Sequence, residues 1–271
     1  MSARVDLYDS AYLNYAAEVY QQVRRETYGE DFGQTSWVTT EESREIPQLL
    51  RLRPDCKVLE LGCGSGGYAL DLAEKVHCTV LGLDINLSGI RNANQLAASR
   101  NLSTWARFEQ CDIAAGLPSE EEAFEAVFSN DVLCHLPGRL SVLREIFRVL
   151  KPGGRMLFSD ALVIGGMISH EEIATRSSIG YYVFSPKGEN ERLIERAGFK
   201  LVRVIDTTES ATTIANRWRR AREKRKDELM AVEGGNFEGL QRFLLGVHNL
   251  TAERRLLRYL YVMEKPGPTV S

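Results

Sequence analysis

Residues 58–68, VLELGCGSGGY, constrain the fold more than any other part of the chain. A short apolar run ends in an acid and then turns through closely spaced glycines. Glycine tolerates backbone angles that other residues avoid, and it lets a ligand approach the bare main chain. Residues 69–75 are good helix formers. The pattern therefore predicts a strand, a glycine-rich loop and a helix, which together cradle a cofactor.

Glu60 decides which cofactor this loop suits. Gly62, Gly64 and Gly67 fit the dinucleotide spacing G-x-G-x-x-G, and Asp84 ends a second apolar strand, where an acid binds ribose hydroxyls. However, Glu60 at the end of the first strand would repel a pyrophosphate. It would attract an ammonium or a sulfonium by ~1–4 kcal/mol at contact distance. S-adenosylmethionine (SAM) carries both of these cations and no phosphate, so we expect SAM rather than a dinucleotide.

The same segment resembles motif I of the class I SAM-dependent methyltransferases, and later elements follow the order of that family. The resemblance is close over residues 52–162 and looser over 186–265. Its further elements are residues 84–86, 108–113, 128–137 and 148–160. It implies an α/β, Rossmann-like fold: a seven-stranded, mostly parallel sheet with helices on both faces and an N-terminal helical lid.

We expect residues 1–271 to form a single SAM-dependent methyltransferase domain. Residues 1–50 would be the helical lid and 51–163 the SAM-binding core. Residues 164–265 would hold a lid insertion and the C-terminal strands, and 266–271 a tail. Within the third part, residues 210–230 and 235–257 have helical patterns, whereas 164–185 lack clear periodicity.

The resemblance implies which residues bind the cofactor. Ser36 and Trp37 lie in a segment similar to the loop that touches the SAM carboxylate in related enzymes, although Ser36 could equally be a turn or helix cap. The other implied cofactor residues are Glu60, Gly62, Cys63, Gly64, Gly66, Asp84, Ile85, Asn86, Asp112, Ile113 and Asn130.

His135 is the candidate catalytic residue, because it follows the fourth strand at the sheet edge where α/β proteins bind ligands. An imidazole suits general-base work near neutrality. The alternative is that His135 packs beside the adenine or caps a helix. In similar phosphoethanolamine enzymes an N-terminal tyrosine works with this histidine. Tyr12, Tyr15 and Tyr20 are the possible counterparts, and we choose Tyr15 from its distance to the turn at Gly29.

The acceptor is expected to be a small molecule that is methylated at N, O or C, with S-adenosylhomocysteine (SAH) as the second product. Tyr181, Tyr182, Phe184 and Arg176 are the candidate substrate-binding residues. Because Arg176 is the only cation in residues 161–185, a phosphorylated amine is disfavoured. A partly apolar or aromatic acceptor fits this region better, and an amine remains open through cation–π contacts.

Composition limits the other partners. The net charge of −3 predicts no general attraction to nucleic acid or an anionic membrane. No run is long and apolar enough for a transmembrane helix, and the five cysteines suggest free thiols in a reducing cytoplasm. We interpret the basic run 217–226 as a solvated helix face. We expect a monomer or homodimer and no metal site. The alternatives are an enzyme that uses the aminobutyryl arm of SAM and, less favoured, a nucleic-acid methyltransferase.

Overall fold

Eight strands of the computed structural model, which describes residues 5–267, form one mixed sheet. They are β1 (Lys57–Leu61), β2 (Thr79–Asp84), β3 (Ala106–Gln110), β4 (Phe124–Ser129), β5 (Leu150–Ile164), β6 (Ser185–Pro186), β7 (Lys200–Asp206) and β8 (Leu256–Glu264). The order across the sheet is β3-β2-β1-β4-β5-β8-β7. The pairings of β8 with β5 and β7 are antiparallel, and the others are parallel.

The predicted Rossmann-like fold is confirmed, with one strand more than the seven expected. The additional strand, β6, pairs with Val163 and Ile164 at the end of β5. It is only two residues long and ends at Pro186, which has no N–H to donate to a ladder. So short a strand carries no periodicity, and the sequence pattern could not reveal it.

The centre of the sheet contains a topological switch point. Strands β1 and β4 are neighbours, with Val58 opposite Ala126. From this pair the chain builds outward in opposite directions, through β2 and β3 on one side and through β5 on the other. Connections that diverge in this way leave a crevice at the carboxyl ends of the strands, where ligands of open α/β sheets bind.

Helices cover both faces of the sheet because the strand side chains alternate between two apolar clusters. Val58 packs in a cluster with α4 (Gly67–Val76) and α5 (Leu87–Ser99). Leu59 and Leu61 pack on the other side with α6 (Arg139–Val149) and α8 (Glu189–Arg196). The remaining helices are α1 (Tyr8–Leu13), α2 (Glu18–Tyr28), α3 (Thr40–Leu49), α7 (His170–Arg176), α9 (Thr208–Glu223), α10 (Lys226–Glu233) and α11 (Asn236–Ala252).

A separate apolar cluster joins the N-terminal helix α2 to the C-terminal helices α9 and α11. Val23 of α2, Trp218 of α9 and Phe243 of α11 are buried together, and Trp37 packs between the last two at ring distances of 6.1 Å. The segments that we assigned to an N-terminal lid and to a C-terminal region therefore form one helical layer.

Two local predictions need correction, and one segment without clear periodicity contains a short helix. The helical pattern over 210–230 is broken between α9 and α10, and the pattern over 235–257 ends at Ala252, before β8. Segment 164–185 contains the short helix α7, which starts at a capping box between Ser169 and Glu172. The capping pair is local, but the helix is too short to show a period.

The basic run 217–226 is less exposed than expected for a solvated face. Trp218 is buried, Arg222 forms an ion pair with the buried Glu233, and Arg225 pairs with Glu26 of α2. No helix within residues 5–267 has the length and apolar character needed to cross a membrane.

Candidate active site

A cavity of about 770 Å³ opens at the carboxyl edge of the sheet, beside the switch point. Its walls come from the loops after β1, β2, β3 and β4, from α1, from the segment around Trp37 and from the segment at the end of α7 and beyond it. Of the residues selected from sequence, Glu60, Gly62, Cys63, Gly64, Asp84, Ile85, Asn86, Asp112, Ile113, Asn130, Ser36, Trp37, His135, Arg176, Tyr181 and Tyr182 line it. Gly66, Tyr15 and Phe184 do not.

The glycine loop has the backbone that the sequence pattern predicts. Gly62 and Gly64 have φ angles of +74° and +52°, which side-chain-bearing residues rarely adopt. A Cβ atom at Gly62 would lie 2.2 Å from Val132, and one at Gly64 would lie 2.8 Å from the hydroxyl of Tyr12. Gly66 instead begins α4 with a left-handed conformation, and a Cβ there would strike Phe108 on the core side. Gly66 therefore lets the loop pack closely against the core and does not face the cavity.

Besides Arg176, three buried polar side chains of the cavity have atoms that lack hydrogen-bond partners within the described residues. They are the Oε2 atom of Glu60, the whole amide of Asn130 and the hydroxyl of Ser36. Buried polar groups are almost always paired, so such atoms mark places where a polar ligand binds. A carboxylate, an amide and a hydroxyl match the ammonium, ribose and carboxylate groups of SAM. Burial, and secondarily the charge of Asp84, raises the pKa of Glu60 well above its ordinary value.

Asp84 connects the glycine loop to the second strand. Its Oδ2 accepts a hydrogen bond from the backbone N–H of Gly64, and its Oδ1 accepts one from that of Asn86, each at 2.8 Å. Each carboxylate oxygen retains a lone pair that can accept from a ribose hydroxyl. Asn86 caps α5 through its own Oδ1. Asp112 accepts a hydrogen bond from the N–H of Ala114, and Ile85 is 67% exposed at the rim.

Helix α1 covers one side of the cavity because two asparagines of the α5 region anchor it. The side-chain amide of Asn86 donates to Asp9 at 2.6 Å, and that of Asn92 donates to the carbonyl oxygen of Tyr12 at 2.8 Å. Tyr8 and Tyr12 lie one helical turn apart and both line the cavity. The N-terminal helix is therefore positioned by direct hydrogen bonds to the predicted SAM-binding core.

His135 contacts the cavity with one nitrogen and the protein backbone with the other. Its Nδ1 lies 3.0 Å from the carbonyl oxygen of Tyr181, and its Nε2 lies 2.9 Å from the hydroxyl of Tyr8. A carbonyl oxygen only accepts, so Nδ1 must carry the proton, and the hydroxyl of Tyr8 then donates to Nε2. The imidazole also stacks on Tyr182 with ring centroids 4.3 Å apart. Burial lowers the pKa of His135 to about 4, which keeps the ring neutral at pH 7.

The choice of Tyr15 as the tyrosine of the site does not fit the geometry. The Tyr15 ring packs against the guanidinium of Arg24 at 4.7 Å, outside the cavity wall. Tyr20 donates a hydrogen bond to Glu233 at 2.7 Å. Tyr8, which sequence reasoning missed, contacts His135. The spacing of Tyr8 and Tyr12 by four residues was the available signal, since it places both rings on one helix face.

Phe184 also lies away from the cavity. It packs against an apolar cluster formed by Cys134, Leu162, Leu250 and Leu256. Tyr182 also packs against this cluster, but it lines the cavity as well, which Phe184 does not. Arg176, at the end of α7, does line the cavity and is 1% exposed.

A buried ion network that sequence reasoning missed holds the Trp37 segment against the β4 loop. Asp131 accepts a hydrogen bond from the backbone N–H of Trp37 at 2.9 Å and another from Nε of Arg258 at 2.9 Å. Arg258 also donates to Glu42 of α3 at 2.7 Å. Because its partners come from distant parts of the chain, no local pattern could have revealed this network.

Comparison with known proteins agrees with this geometry. Residues 52–183 match a family model described as a methyltransferase domain. Phosphoethanolamine N-methyltransferase of Triticum aestivum is 30% identical over 207 residues, which are 76% of this chain and 40% of that protein. Methyltransferase GfsG of Streptomyces halstedii is 32% identical over 173 residues, 62% of this chain and 61% of that protein. The chain thus spans well under two thirds of the wheat relative.

The fold has solved counterparts. A phosphoethanolamine N-methyltransferase 2 of Haemonchus contortus, solved with phosphomonomethylethanolamine and SAH, superposes with a TM-score of 0.80 at 20% identity. The match covers 96% of this chain and 60% of that one. Residues 52–183 therefore form a methyltransferase domain, as the resemblance of their motifs to the SAM-dependent class implied. The cofactor of this class is SAM.

Proposed function

We propose that this protein transfers a methyl group from SAM to an N, O or C atom of a small-molecule acceptor, leaving SAH. The observation that carries the proposal is the contact between Tyr8 and a neutral His135. This pair lines the same cavity as the unpartnered atoms of Glu60, Asn130 and Ser36.

The residues of the cofactor part have distinct roles in this proposal. Glu60 attracts the ammonium group, Asp84 accepts hydrogen bonds from the ribose, and Ser36 donates to the carboxylate. The glycine loop removes the side chains that would fill this space. Bound SAM supplies a methyl carbon that its sulfonium makes electrophilic.

Tyr8 and His135 manage the proton of the acceptor. The Tyr181 carbonyl holds the proton of His135 on Nδ1, which leaves the Nε2 lone pair directed at Tyr8. The proton of an acceptor can pass to Nε2, either directly or through the Tyr8 hydroxyl. General-base help of this kind contributes about 10²–10⁴-fold to a rate, and fixed positioning of the nucleophile contributes more.

Two measurements test the proposal in sequence. Native mass spectrometry and calorimetry on the purified protein should reveal bound SAM or SAH, and no affinity for SAM would refute the assignment of the cavity. The protein is then incubated with methyl-labelled SAM and a panel of amines, phenols and carboxylic acids. Formation of SAH with a labelled acceptor is expected. Release of methylthioadenosine instead would indicate attack on the aminobutyryl arm and would exclude methyl transfer.

A further inference from the structure

We propose that the acceptor carries a carboxylate, which binds the buried guanidinium of Arg176 where Tyr182 and Trp37 line the cavity. This inference rests on the proposed function, since it names the acceptor class of the same site.

Arg176 is exceptional among the buried arginines of residues 5–267. Five arginines are less than 9% exposed. Arg24 pairs with Asp31, Arg139 with Asp160, Arg222 with Glu233, and Arg258 with both Asp131 and Glu42. Arg176 forms no ion pair with any acid in this part of the chain, and its Nη1 atom lacks a hydrogen-bond partner there. A buried charge without a partner is costly, so the fold leaves this group for a ligand.

Aromatic rings surround the guanidinium, and among them only the hydroxyl of Tyr182 offers it an oxygen acceptor. Its central carbon lies 4.5 Å from the ring centroid of Tyr182, 5.2 Å from Phe243 and 5.8 Å from Trp37. Such rings stabilise a cation electrostatically, but they offer few acceptors to its N–H groups. A carboxylate can accept two parallel hydrogen bonds from a guanidinium, which is the geometry that this side chain favours.

The position of Arg176 relative to His135 fits an acceptor held at two ends. Both groups contact the Tyr182 ring, at 4.5 Å and 4.3 Å from its centroid. The two groups are therefore neighbours at one ring, a separation that a small acceptor with a carboxylate at one end can span. The aromatic walls of Trp37 and Tyr182 suit an apolar or aromatic body between the two ends.

The charge balance around this end of the cavity favours a single negative charge. Arg176 is the only lysine or arginine among the described residues that line the cavity, and His135 is neutral. The nearby acid Asp131 is already committed to Arg258 and to the Trp37 backbone. A phosphate monoester, with nearly two charges, would remain half uncompensated. An ammonium group at this position would meet the unpaired cation of Arg176.

Binding to the SAH-loaded protein tests the inference without requiring turnover. The probes are phenylacetate and phenylacetamide, which share a shape and differ in charge, together with phenyl phosphate. Calorimetry at fixed ionic strength should give phenylacetate at least a tenfold tighter affinity than the amide. Equal binding of acid and amide by the wild type, or stronger binding of phenyl phosphate, would overturn the proposal. This comparison needs no variant.

Variants then test whether Arg176 causes the preference for phenylacetate over phenylacetamide. Arg176→Gln should abolish the preference for the acid, whereas Arg176→Lys should keep part of it. Arg255→Gln is the matched control, because Arg255 pairs with Glu172 of the same helix outside the cavity. An unchanged preference in Arg176→Gln would refute the role of the guanidinium. Loss of SAH affinity in Arg176→Gln would assign it to the cofactor carboxylate instead. Failure of the proposed function would appear separately, as a wild type that does not bind SAH.

Discussion

The Nε2 atom of His135 lies 2.9 Å from the hydroxyl of Tyr8, although 127 positions separate the two residues in the chain. Tyr8 belongs to the helix that covers the cavity, whereas His135 belongs to the short helical turn after β4. This contact joins the N-terminal helix to the edge of the sheet. The atom that would accept a proton, Nε2 of His135, is therefore hydrogen-bonded to a hydroxyl group from a different secondary-structure element.

Tyr8→Phe should lower turnover about 10- to 100-fold, because it removes the hydroxyl that contacts Nε2 but keeps the ring. Affinity for SAM should change little, since the glycine loop and Asp84 are untouched. Initial rates and calorimetric titration with SAM check both expectations. Tyr15→Phe is the control, and its rate should stay near that of the wild type because Tyr15 lies outside the cavity. The assignment fails if Tyr15→Phe is the slower variant.

His135 should make the folded protein lose stability as the pH falls. Its folded pKa of about 4 lies below the ordinary value of 6.5, so the unfolded chain binds more protons between these values. The contribution is present above pH 6.5 and should decrease by about 2 kcal/mol between pH 7 and pH 5. Urea unfolding of the wild type and of His135→Asn at both pH values isolates it. Identical pH dependence in the two proteins would contradict a depressed pKa.

Asp84→Asn should weaken SAM binding by at least ~1.5 kcal/mol, because it replaces a charged acceptor of hydrogen bonds with a neutral amide. The amide can also present its NH₂ group to the backbone N–H of Gly64, which would disturb the loop. Calorimetry gives the change in affinity. Asp71→Asn, on the surface of α4 where Asp71 pairs with Lys75, should bind SAM like the wild type. Equal affinities for Asp84→Asn and the wild type would exclude the ribose role.

Glu60 should couple SAM binding to proton release. Burial raises the pKa of this carboxyl group well above its ordinary value, and an arriving ammonium favours the ionised form. SAM affinity should therefore increase as the pH rises through the pKa of the free protein. Titrations in two buffers with different ionisation enthalpies should show released protons in the wild type and fewer in Glu60→Gln. No buffer dependence in the wild type would refute the coupling.

The sequence by itself determined the parts of this protein that depend on contiguous residues. The run 58–68 specifies a strand, positive φ angles at glycines and a helix start, all of which are local backbone properties. The acid at the end of β1 and the acid at the end of β2 follow from strand boundaries. Parallel strands then bring these ends to one edge, which is why most predicted cofactor residues line one cavity.

Tertiary structure decided which side chains complete the cavity. The choice between Tyr8 and Tyr15 depends on how α1 sits across α5, which Asn86 and Asn92 fix from far along the chain. The pairing of Asp131 with Arg258 likewise arises from contacts between distant segments, as does the absence of an acidic partner for Arg176 among residues 5–267. Sequence periodicity reports which face of an element is apolar. Periodicity does not report which charged side chains form ion pairs, because ion pairing depends on how whole helices and strands pack against one another.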